Sequence, residues 1–221
     1  MRAGFMRINY KDLEYRESLP KILHETPFVN VGLKYEDFLK QYTPAIIEKL
    51  SDDSNLKVMN QVDGKPIRSS LKDTAVCEPI VSFFEKEFGG ERFMVHVNRS
   101  HVVDIPSNNT FDVDTSEIWI SEFWHIDNVQ RPVIGIGIYL TDVDDDSAPM
   151  TYEDPPENNF FAPIDNYTNW TQSRFLDFEP KNPVNITGPK HTTFLFVPNF
   201  LHKANYARKK QRDALYMRLA L

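Results

Sequence analysis

The chain has 221 residues, of which 26% are charged and 41% are hydrophobic, and its formal net charge is −7. This length suits a single domain, and the composition is that of an ordinary globular protein, which excludes a disordered or fibrous chain. The negative charge disfavours a protein whose main task is to bind nucleic acid, since that binding depends on clustered Lys and Arg. We therefore expect one domain over residues 1–221.

Several features predict a cytoplasmic protein with no membrane partner. The longest apolar stretch, residues 133–140, is too short to cross a bilayer, and the first residues lack the apolar segment and cleavage site of a secretory signal. The single cysteine, Cys77, forbids an internal disulfide and fits a reducing compartment. Its apolar helical surroundings predict a buried packing residue rather than a nucleophile.

The first ninety residues are predicted to be mainly helical and to brace the rest of the chain. Apolar residues form one stripe along residues 35–50, although Pro44 is expected to kink or split that helix. Residues 73–88 predict a second helix, which Gly89 ends. The aromatic residues of both helices are expected to form core.

After Gly90 the hydrophobic pattern changes to a period of two. Strands are predicted at residues 93–103, 116–127, 132–140, 192–197 and 213–221. Loops rich in Asn, Asp and Pro separate them. This succession predicts an antiparallel sandwich or barrel over residues 91–221, packed beside the N-terminal helices. Residues 142–189 are expected to form a long irregular loop, which in a compact domain is usually a lid or a binding loop.

Two histidines and an aspartate point to a metal site. Side chains at alternate positions of a strand share a face, so His125 and Asp127 can chelate one ion. A His-x-Asp pair alone is a weak signal, because these residues often meet only to satisfy hydrogen bonds. His202 follows one predicted strand and precedes another that begins near Arg212, so a hairpin can bring both residues to the same end of a barrel. Two imidazoles and one carboxylate can hold one face of an iron(II) octahedron.

Four further histidines lack a comparable carboxylate partner. Surface or core positions are expected for all of them, although one, His96, is also placed to face a cavity. They are His24, His96, His101 and His191.

Two long segments carry a family resemblance. FWHIDNVQRPVIGIGIYLTDVDDDSAP and HTTFLFVPNFLHKANYARKKQRDALYMRL resemble the metal-binding and C-terminal strands of the phytanoyl-CoA dioxygenase-like branch of the iron(II)/2-oxoglutarate-dependent oxygenases. They span roughly half of the chain. The resemblance implies a double-stranded β-helix, or jelly-roll, core braced by the N-terminal helices.

The same resemblance implies the roles of four residues. His125, Asp127 and His202 would be the iron ligands, and Arg212 would anchor the distal carboxylate of 2-oxoglutarate. A guanidinium suits that second role because its planar pair of donors matches a carboxylate, which a lysine does not reproduce. Arg208 and Arg218 are rivals for it. No catalytic residue is expected beyond the metal ligands.

The resemblance implies an enzyme that uses Fe(II), 2-oxoglutarate and dioxygen to hydroxylate a small molecule, with release of succinate and CO2. Halogenating relatives vacate the carboxylate position, whereas Asp127 fills it, so hydroxylation or a related desaturation or cyclisation is favoured. The chain departs from the family pattern at residues 147–151, which replace a glycine-rich turn, and at Lys203, where many relatives have a small residue. Because of these departures, the resemblance does not identify the substrate. The sequence does not determine the oligomeric state either.

Two other functions are weighed against the oxygenase. One is a jelly-roll metal-binding protein without oxygenase activity, but a structural metal has no need of the carboxylate clamp that Arg212 would provide. The other is nucleic-acid demethylation, which calls for a basic groove and is disfavoured by the net charge of −7.

An acidic segment imitates a calcium-binding loop. Asp142, Asp144, Asp146 and Glu153 match positions of the EF-hand template, but Ser147 replaces the glycine that the sharp turn requires. A strand rather than a helix is predicted before it. An acidic, solvated loop is therefore expected.

Overall fold

The structure, a computed structural model, describes residues 13–62, 64–103, 124–127, 131–154, 172–175 and 179–221. The α-helices are α1 (Leu13–Ser18), α2 (Glu36–Ser51) and α3 (Glu78–Phe88), and short 3-10 helices lie at Lys21–Leu23, Asp53–Asn55 and Ala75–Cys77. The strands are β1 (Phe28–Gly32), β2 (Leu56–Val62), β3 (Lys65–Leu71), β4 (Glu91–Ser100), β5 (Trp124–Asp127), β6 (Val133–Tyr139), β7 (Met150–Glu153), β8 (Gln172–Phe175), β9 (Pro183–Ile186), β10 (Thr193–Phe196), β11 (His202–Ala204) and β12 (Arg212–Ala220).

The described strands form two antiparallel sheets. The larger has the order β1-β10-β6-β12-β4-β3-β2, and the smaller has the order β8-β5-β11-β7-β9. Phe194 and Phe196 of the larger sheet share a buried cluster with Met150 and Ile186 of the smaller one, so the two sheets pack face to face. This is the jelly-roll core that the sequence predicts.

The helices cover the outer face of the larger sheet. Buried side chains of α2 recur at helical spacing and those of α3 form a second apolar face. Both faces pack in one cluster with Ile134, Ile136 and Ile138 of β6. Burying an aliphatic side chain of this size stabilises a fold by about 1.5–3 kcal/mol. The helices therefore hold the sheet whose other face lines the site.

Both predicted helices are present, with different details. The helix predicted over 35–50 is α2, and it continues through Pro44 rather than splitting there. Pro44 lies on the exposed face, where water can replace the hydrogen bond that proline removes. The helix predicted over 73–88 is divided into a 3-10 turn and α3. Gly89 ends α3 in the left-handed conformation at φ 73°, and its N–H donates to Glu85 O.

The prediction that residues 1–90 mainly form bracing helices is incomplete. Strands β1, β2 and β3 lie in this part of the chain and belong to the larger sheet, so the jelly-roll core is not confined to 91–221. In β3 every residue from Ile67 to Leu71 is buried, including Arg68, Ser69 and Ser70. Buried polar residues erase the alternation by which a strand is recognised from sequence.

The prediction of one long irregular loop over 142–189 is also incomplete, because this segment contains β7, β8 and β9. Each of these strands has four residues, a length that gives little periodicity. β9 begins with Pro183 and forms one edge of the smaller sheet, a position that proline tolerates. Residues 155–171 and 176–178 of the predicted loop, and residues 116–123 of a predicted strand, lie outside the described residues.

The described part of the chain contains no helix that is both long enough and apolar enough to span a membrane.

Two glycines of β6 give room to aromatic rings of the neighbouring strand. Gly135 lies opposite Phe196 and Gly137 opposite Phe194 in the β6–β10 pair. A Cβ added at either glycine would overlap the facing ring. The alternating pattern IGIGIY thus buries isoleucines against the helices and lets phenylalanines lie over the backbone on the cavity side.

We predict that Gly137→Ala lowers the free energy of unfolding by about 1–3 kcal/mol, since the new methyl group overpacks against Phe194. Chemical denaturation measures this loss. The double variant Gly137→Ala/Phe194→Leu removes the ring that clashes, so the alanine should cost less in that background than in the wild type. Equal costs in the two backgrounds would show that the ring does not set the requirement for glycine.

Candidate metal centre

The pairing of two short strands places the two histidines. β5 and β11 are antiparallel neighbours, and His125 lies directly opposite His202 in their register. Cross-strand partners of this kind have Cβ atoms about 4.5–5.5 Å apart on the same face of a sheet. Asp127 follows His125 by two residues, so its side chain shares that face. The N–H of Asp127 also donates to Pro198 O (2.9 Å), which ties β5 to the segment leading into β11.

The three side chains converge in the interior. The relative exposure is 2% for His125, 1% for Asp127 and 5% for His202. His125 Nε2 lies 3.9 Å from Asp127 Oδ1, and His202 Nε2 lies 3.6 Å from Asp127 Oδ2. One potential ligand atom from each residue lies within 4.8 Å of the other two. Among the described residues, no other group of three or more His, Cys, Asp or Glu side chains converges in this way.

The hydrogen bond of His202 fixes which nitrogen faces the cluster. Its Nδ1 lies 2.7 Å from Phe200 O, and a carbonyl oxygen can only accept, so Nδ1 carries the proton. The lone pair is then on Nε2, the nitrogen that points to Asp127. Burial, followed by the charge of His125, lowers the pKa of His202 to about 3. The ring is therefore neutral at pH 7, as a metal ligand must be.

Arg218 approaches the cluster from the larger sheet. Its Nη2 donates to Asp127 Oδ2, and its side chain is 17% exposed. From the sequence, Arg218 is only a rival of Arg212 as the anchor of the 2-oxoglutarate carboxylate. It lies about 20 Å along the strand from Arg212 at roughly 3.3 Å per residue. The structure places it instead against the carboxylate of the cluster.

The donor set fits a divalent transition metal. Two ligand atoms bonded to one ion at about 2.1 Å lie roughly 3 Å apart when adjacent and about 4.2 Å apart when opposite. The separations of 3.6 and 3.9 Å fall between these limits. Two imidazoles and one carboxylate on one side of an ion form the facial arrangement that suits iron(II) and leaves positions open for other ligands.

A cavity of about 130 Å³ adjoins the cluster. This volume is comparable with cavities that hold one small organic molecule. Arg212 lines the cavity together with His125 and His202, so β11 and β12 bring the predicted anchor to the same chamber as the histidines.

Arg212 is held in place from two sides. It is 1% exposed, donates from Nη1 to Ala148 O, and donates from Nη2 to Ser100 Oγ at 3.1 Å. Its Nε is buried and has no hydrogen-bond partner among the described residues. Ser100 lies opposite Arg212 in the β12–β4 register. A fixed guanidinium beside a hydroxyl can receive a carboxylate.

Other candidates from the sequence lie elsewhere. Arg208 is exposed on a turn, where its N–H donates to Asp146 O at 2.8 Å, so it does not rival Arg212. His191 bonds Thr43 Oγ1 at 2.9 Å and His101 bonds Ser69 Oγ at 2.8 Å, both of which are packing roles. His96 differs from these, because it lines the cavity.

The acidic segment does not converge on a calcium site. Asp144 pairs with Lys210, Asp146 pairs with Lys209 at 2.8 Å, and the Oε1 of Glu153 accepts from the N–H groups of Lys181 and Asn182. The hydrogen bond from Lys210 holds the pKa of Asp144 at about 2. Each of these carboxylates has its own partner, which supports the expectation of an ordinary acidic loop.

The single cysteine is unsuited to nucleophilic catalysis. Cys77 is completely buried in the helical cluster, and burial raises the pKa of its thiol to about 12. A nucleophilic cysteine needs access and a lowered pKa. The prediction of a packing role is confirmed.

Comparisons with known proteins give an answer at the level of structure. No protein-family model and no curated protein sequence matches the chain. Solved structures do match. The epimerase SnoN, in complex with Fe3+, alpha ketoglutarate and nogalamycin RO, is 12% identical, with a TM-score of 0.60 over 95% of this chain and 84% of SnoN. The chain has the fold of the non-heme, 2-oxoglutarate-dependent iron enzymes.

Two further structures support the same fold. The non-heme alpha ketoglutarate dependent carbocyclase SnoK from nogalamycin biosynthesis is 14% identical, with a TM-score of 0.53 over 93% of this chain and 85% of SnoK. HygX from Streptomyces hygroscopicus, with nickel and 2-oxoglutarate bound, is 9% identical, with a TM-score of 0.54 over 90% of this chain and 84% of HygX. The fold implied by the family resemblance is confirmed.

The sequence did not reveal every polar residue of the cavity. Arg68 and Asn98 line it beside His96, for which a cavity position was already considered, and Ser100 contacts Arg212. A signal for three of them exists in hindsight, since residues 96, 98 and 100 alternate along β4 on the face toward the cavity. The alternation alone does not show which face of β4 lines the cavity. That requires the register of β4 beside β12.

Proposed function

We propose that this protein is an Fe(II)- and 2-oxoglutarate-dependent dioxygenase that hydroxylates a small-molecule substrate. The observation that carries the proposal is the convergence of His125, Asp127 and His202 beside a cavity that Arg212 also lines. A metal site and a buried carboxylate receptor in one chamber match the two cosubstrate requirements of this chemistry.

In this proposal His125, Asp127 and His202 hold the iron. The proton on His202 Nδ1 and its bond to Phe200 O keep that ring in the orientation that presents Nε2. Hydrogen bonds of this kind from outer partners orient metal ligands and strengthen their affinity. When bound, iron(II) and 2-oxoglutarate supply the oxidising chemistry with dioxygen, and 2-oxoglutarate is converted to succinate and CO2.

Arg212 binds the distal carboxylate of 2-oxoglutarate, and Ser100 adds a hydroxyl beside it. The guanidinium keeps its charge even when it is buried, and its planar donors match the two oxygens of a carboxylate. Its contacts with Ala148 O and Ser100 Oγ set its direction before a ligand arrives. Such preorganisation reduces the entropic cost of binding.

Three solved structures make this reading chemically coherent. SnoN is crystallised with Fe3+ and alpha ketoglutarate, and HygX with nickel and 2-oxoglutarate. SnoN is an epimerase and SnoK a carbocyclase, so the fold serves more than one reaction. Asp127 fills the carboxylate position that halogenating enzymes leave empty, so hydroxylation, or a related desaturation or cyclisation, is favoured over halogenation, and we propose hydroxylation.

The two alternatives explain less of the site. The hypothesis of a jelly-roll protein that only binds metal does not explain why Arg212 is buried beside the cavity. Nucleic-acid demethylation requires an extended basic groove, whereas the chain has a net charge of −7. A cytoplasmic location and a small-molecule partner remain part of the proposal.

We predict that His125→Ala abolishes metal-dependent turnover and weakens metal binding by at least about 100-fold, because losing even an outer partner of a metal ligand costs about 10- to 100-fold. Calorimetry with Fe(II) or Ni(II) under argon measures binding, and succinate release measures turnover. His24→Ala is the control, since the imidazole of His24 bonds the backbone oxygen of Leu19 and lies outside the metal cluster. Unchanged metal binding by a folded His125→Ala protein would refute the ligand assignment.

We predict that Arg212→Lys raises the dissociation constant of 2-oxoglutarate at least about tenfold, because one ammonium cannot replace the bidentate fork. Calorimetry on the metal-loaded protein measures this, and metal affinity should stay near the wild-type value. Arg208→Lys makes the same exchange at an exposed arginine and should change nothing. An unaltered affinity in Arg212→Lys would transfer the role to another residue.

A further inference from the structure

Arg218 connects the larger sheet to the acidic member of the metal cluster. Its Nη2 donates to Asp127 Oδ2, which joins β12 of the larger sheet to β5 of the smaller one. A hydrogen bond between a guanidinium and a carboxylate is charge-assisted and roughly twice as strong as one between neutral groups. The side chain of Asp127 is only 1% exposed, so little water competes with this bond. Arg218 therefore determines the surroundings of one carboxylate oxygen.

The backbone of β12 is irregular beside Arg218. Arg218 pairs with Met94 of β4, but the next residue, Leu219, pairs with Arg92, so Phe93 is passed over in the register. Bulges of this kind change the direction of neighbouring side chains and are frequent next to active sites. The pairing on both sides of the bulge keeps the arginine in a fixed place on the sheet.

Two arginines of β12 share the cavity face but have different partners. Arg218 follows Arg212 by six positions, an even number, so the two side chains lie on one face of the strand. Both line the cavity. Arg212 donates to Ala148 O and Ser100 Oγ, whereas Arg218 donates to Asp127. The second arginine thus acts on the metal cluster itself.

The two oxygens of Asp127 have different neighbours. Oδ2 accepts from Arg218 and lies 3.6 Å from His202 Nε2. Oδ1 lies 3.9 Å from His125 Nε2. A carboxylate binds a metal ion through one oxygen or through both. An ion that bonded Oδ2 as well as Oδ1 would come close to the positive guanidinium, and like charges repel. The contact with Arg218 therefore disfavours the two-oxygen mode.

We propose that Arg218 is a positioning residue that holds Asp127 as a one-oxygen ligand, through Oδ1, of the metal ion. The inference rests on the proposed function, which makes Asp127 a ligand of iron(II). Three protein atoms then fill three of the six positions of an octahedral ion. A 2-oxo acid offers its keto oxygen and a carboxylate oxygen to the same ion, so one position remains open. A second oxygen from Asp127 would close it.

A purely structural role of Arg218 predicts a different result. In that case the guanidinium only compensates a buried carboxylate, and its removal lowers the free energy of unfolding. The number of Asp127 oxygens that bind the metal in the folded protein would then stay the same. The positioning role predicts that this number changes, so the test has to measure the coordination mode.

Infrared spectroscopy distinguishes the two modes, because the asymmetric and symmetric stretches of a carboxylate are further apart for a one-oxygen ligand than for a two-oxygen ligand. Difference spectra are recorded between Ni(II)-loaded and metal-free protein, and isotope-labelled aspartate assigns the bands. The wild type should show the wide separation. Arg218→Met keeps an unbranched side chain without donors and should show the narrow separation.

Nitric oxide measures whether the remaining position is open. Protein saturated with Fe(II) and 2-oxoglutarate under argon is titrated with nitric oxide, and electron paramagnetic resonance detects the complex. Arg218→Met should bind nitric oxide at least about tenfold more weakly than the wild type, because the second oxygen of Asp127 competes with it. Arg208→Met removes an exposed arginine and should change neither the band separation nor this affinity.

The spectrum of the wild type is decisive by itself. A narrow separation there would overturn the proposal, whether or not Arg218→Met folds. A folded Arg218→Met protein with the wide separation and the wild-type affinity for nitric oxide would also overturn it.

Failure of the proposed function gives a different result. A wild type that shows the wide separation with Ni(II) but has no affinity for 2-oxoglutarate would contradict the dioxygenase assignment and still support the role of Arg218. A wild type that binds no metal would contradict both.

Discussion

The pairing of β5 with β11 is the constraint on which the site depends. It sets His125 opposite His202, and the pleat of β5 then brings Asp127 to the same face. A shift of one residue in this register would turn the ligands of β5 to the other face of the sheet. The backbone bond from Asp127 to Pro198 and the turn between Phe200 and Val197 hold the two strands in place.

The residues around β5 and β11 determine the polarity and the charge of the space beside the three ligands. Rings of Phe28 and Phe196 pack near His202, with centroids 6.2 and 5.5 Å from its own, and exclude water from one side. Gly135 makes this possible, because a side chain there would occupy the space of the Phe196 ring. On the other side lie the arginines of β3 and β12. The site thus has an apolar wall beside His202, whose pKa burial lowers to about 3, and a wall that carries arginines.

The parts of this arrangement that follow local patterns could be predicted from the sequence. His125 and Asp127 share a strand face by simple alternation, and the order of His202, a turn and Arg212 is a local feature as well. Gly89 as a helix end and the apolar stripe of α2 as a buried face can likewise be recognised from the residues next to them in the sequence. The resemblance to a family of oxygenases added the jelly-roll fold, which the solved structures bear out.

The remaining parts depend on contacts between distant strands. Arg218 meets Asp127 across 91 positions of the chain, and Ser100 meets Arg212 across 112. No local pattern encodes either contact. β3 escaped prediction because Arg68, Ser69 and Ser70 are buried without alternation, and the same burial puts Arg68 in the cavity. The position of Arg68 in the cavity and the contact of Arg218 with Asp127 therefore could not be predicted from the sequence, whereas Arg212 could.

The most direct test of the central claim is a crystal structure of the protein grown with Fe(II) under argon, with anomalous diffraction recorded at the iron absorption edge. The account predicts one strong peak at bonding distance, about 2.0–2.2 Å, from His125 Nε2, His202 Nε2 and a carboxylate oxygen of Asp127. An iron peak at any other position, or a fully bound metal that leaves these three side chains uncoordinated, would contradict it.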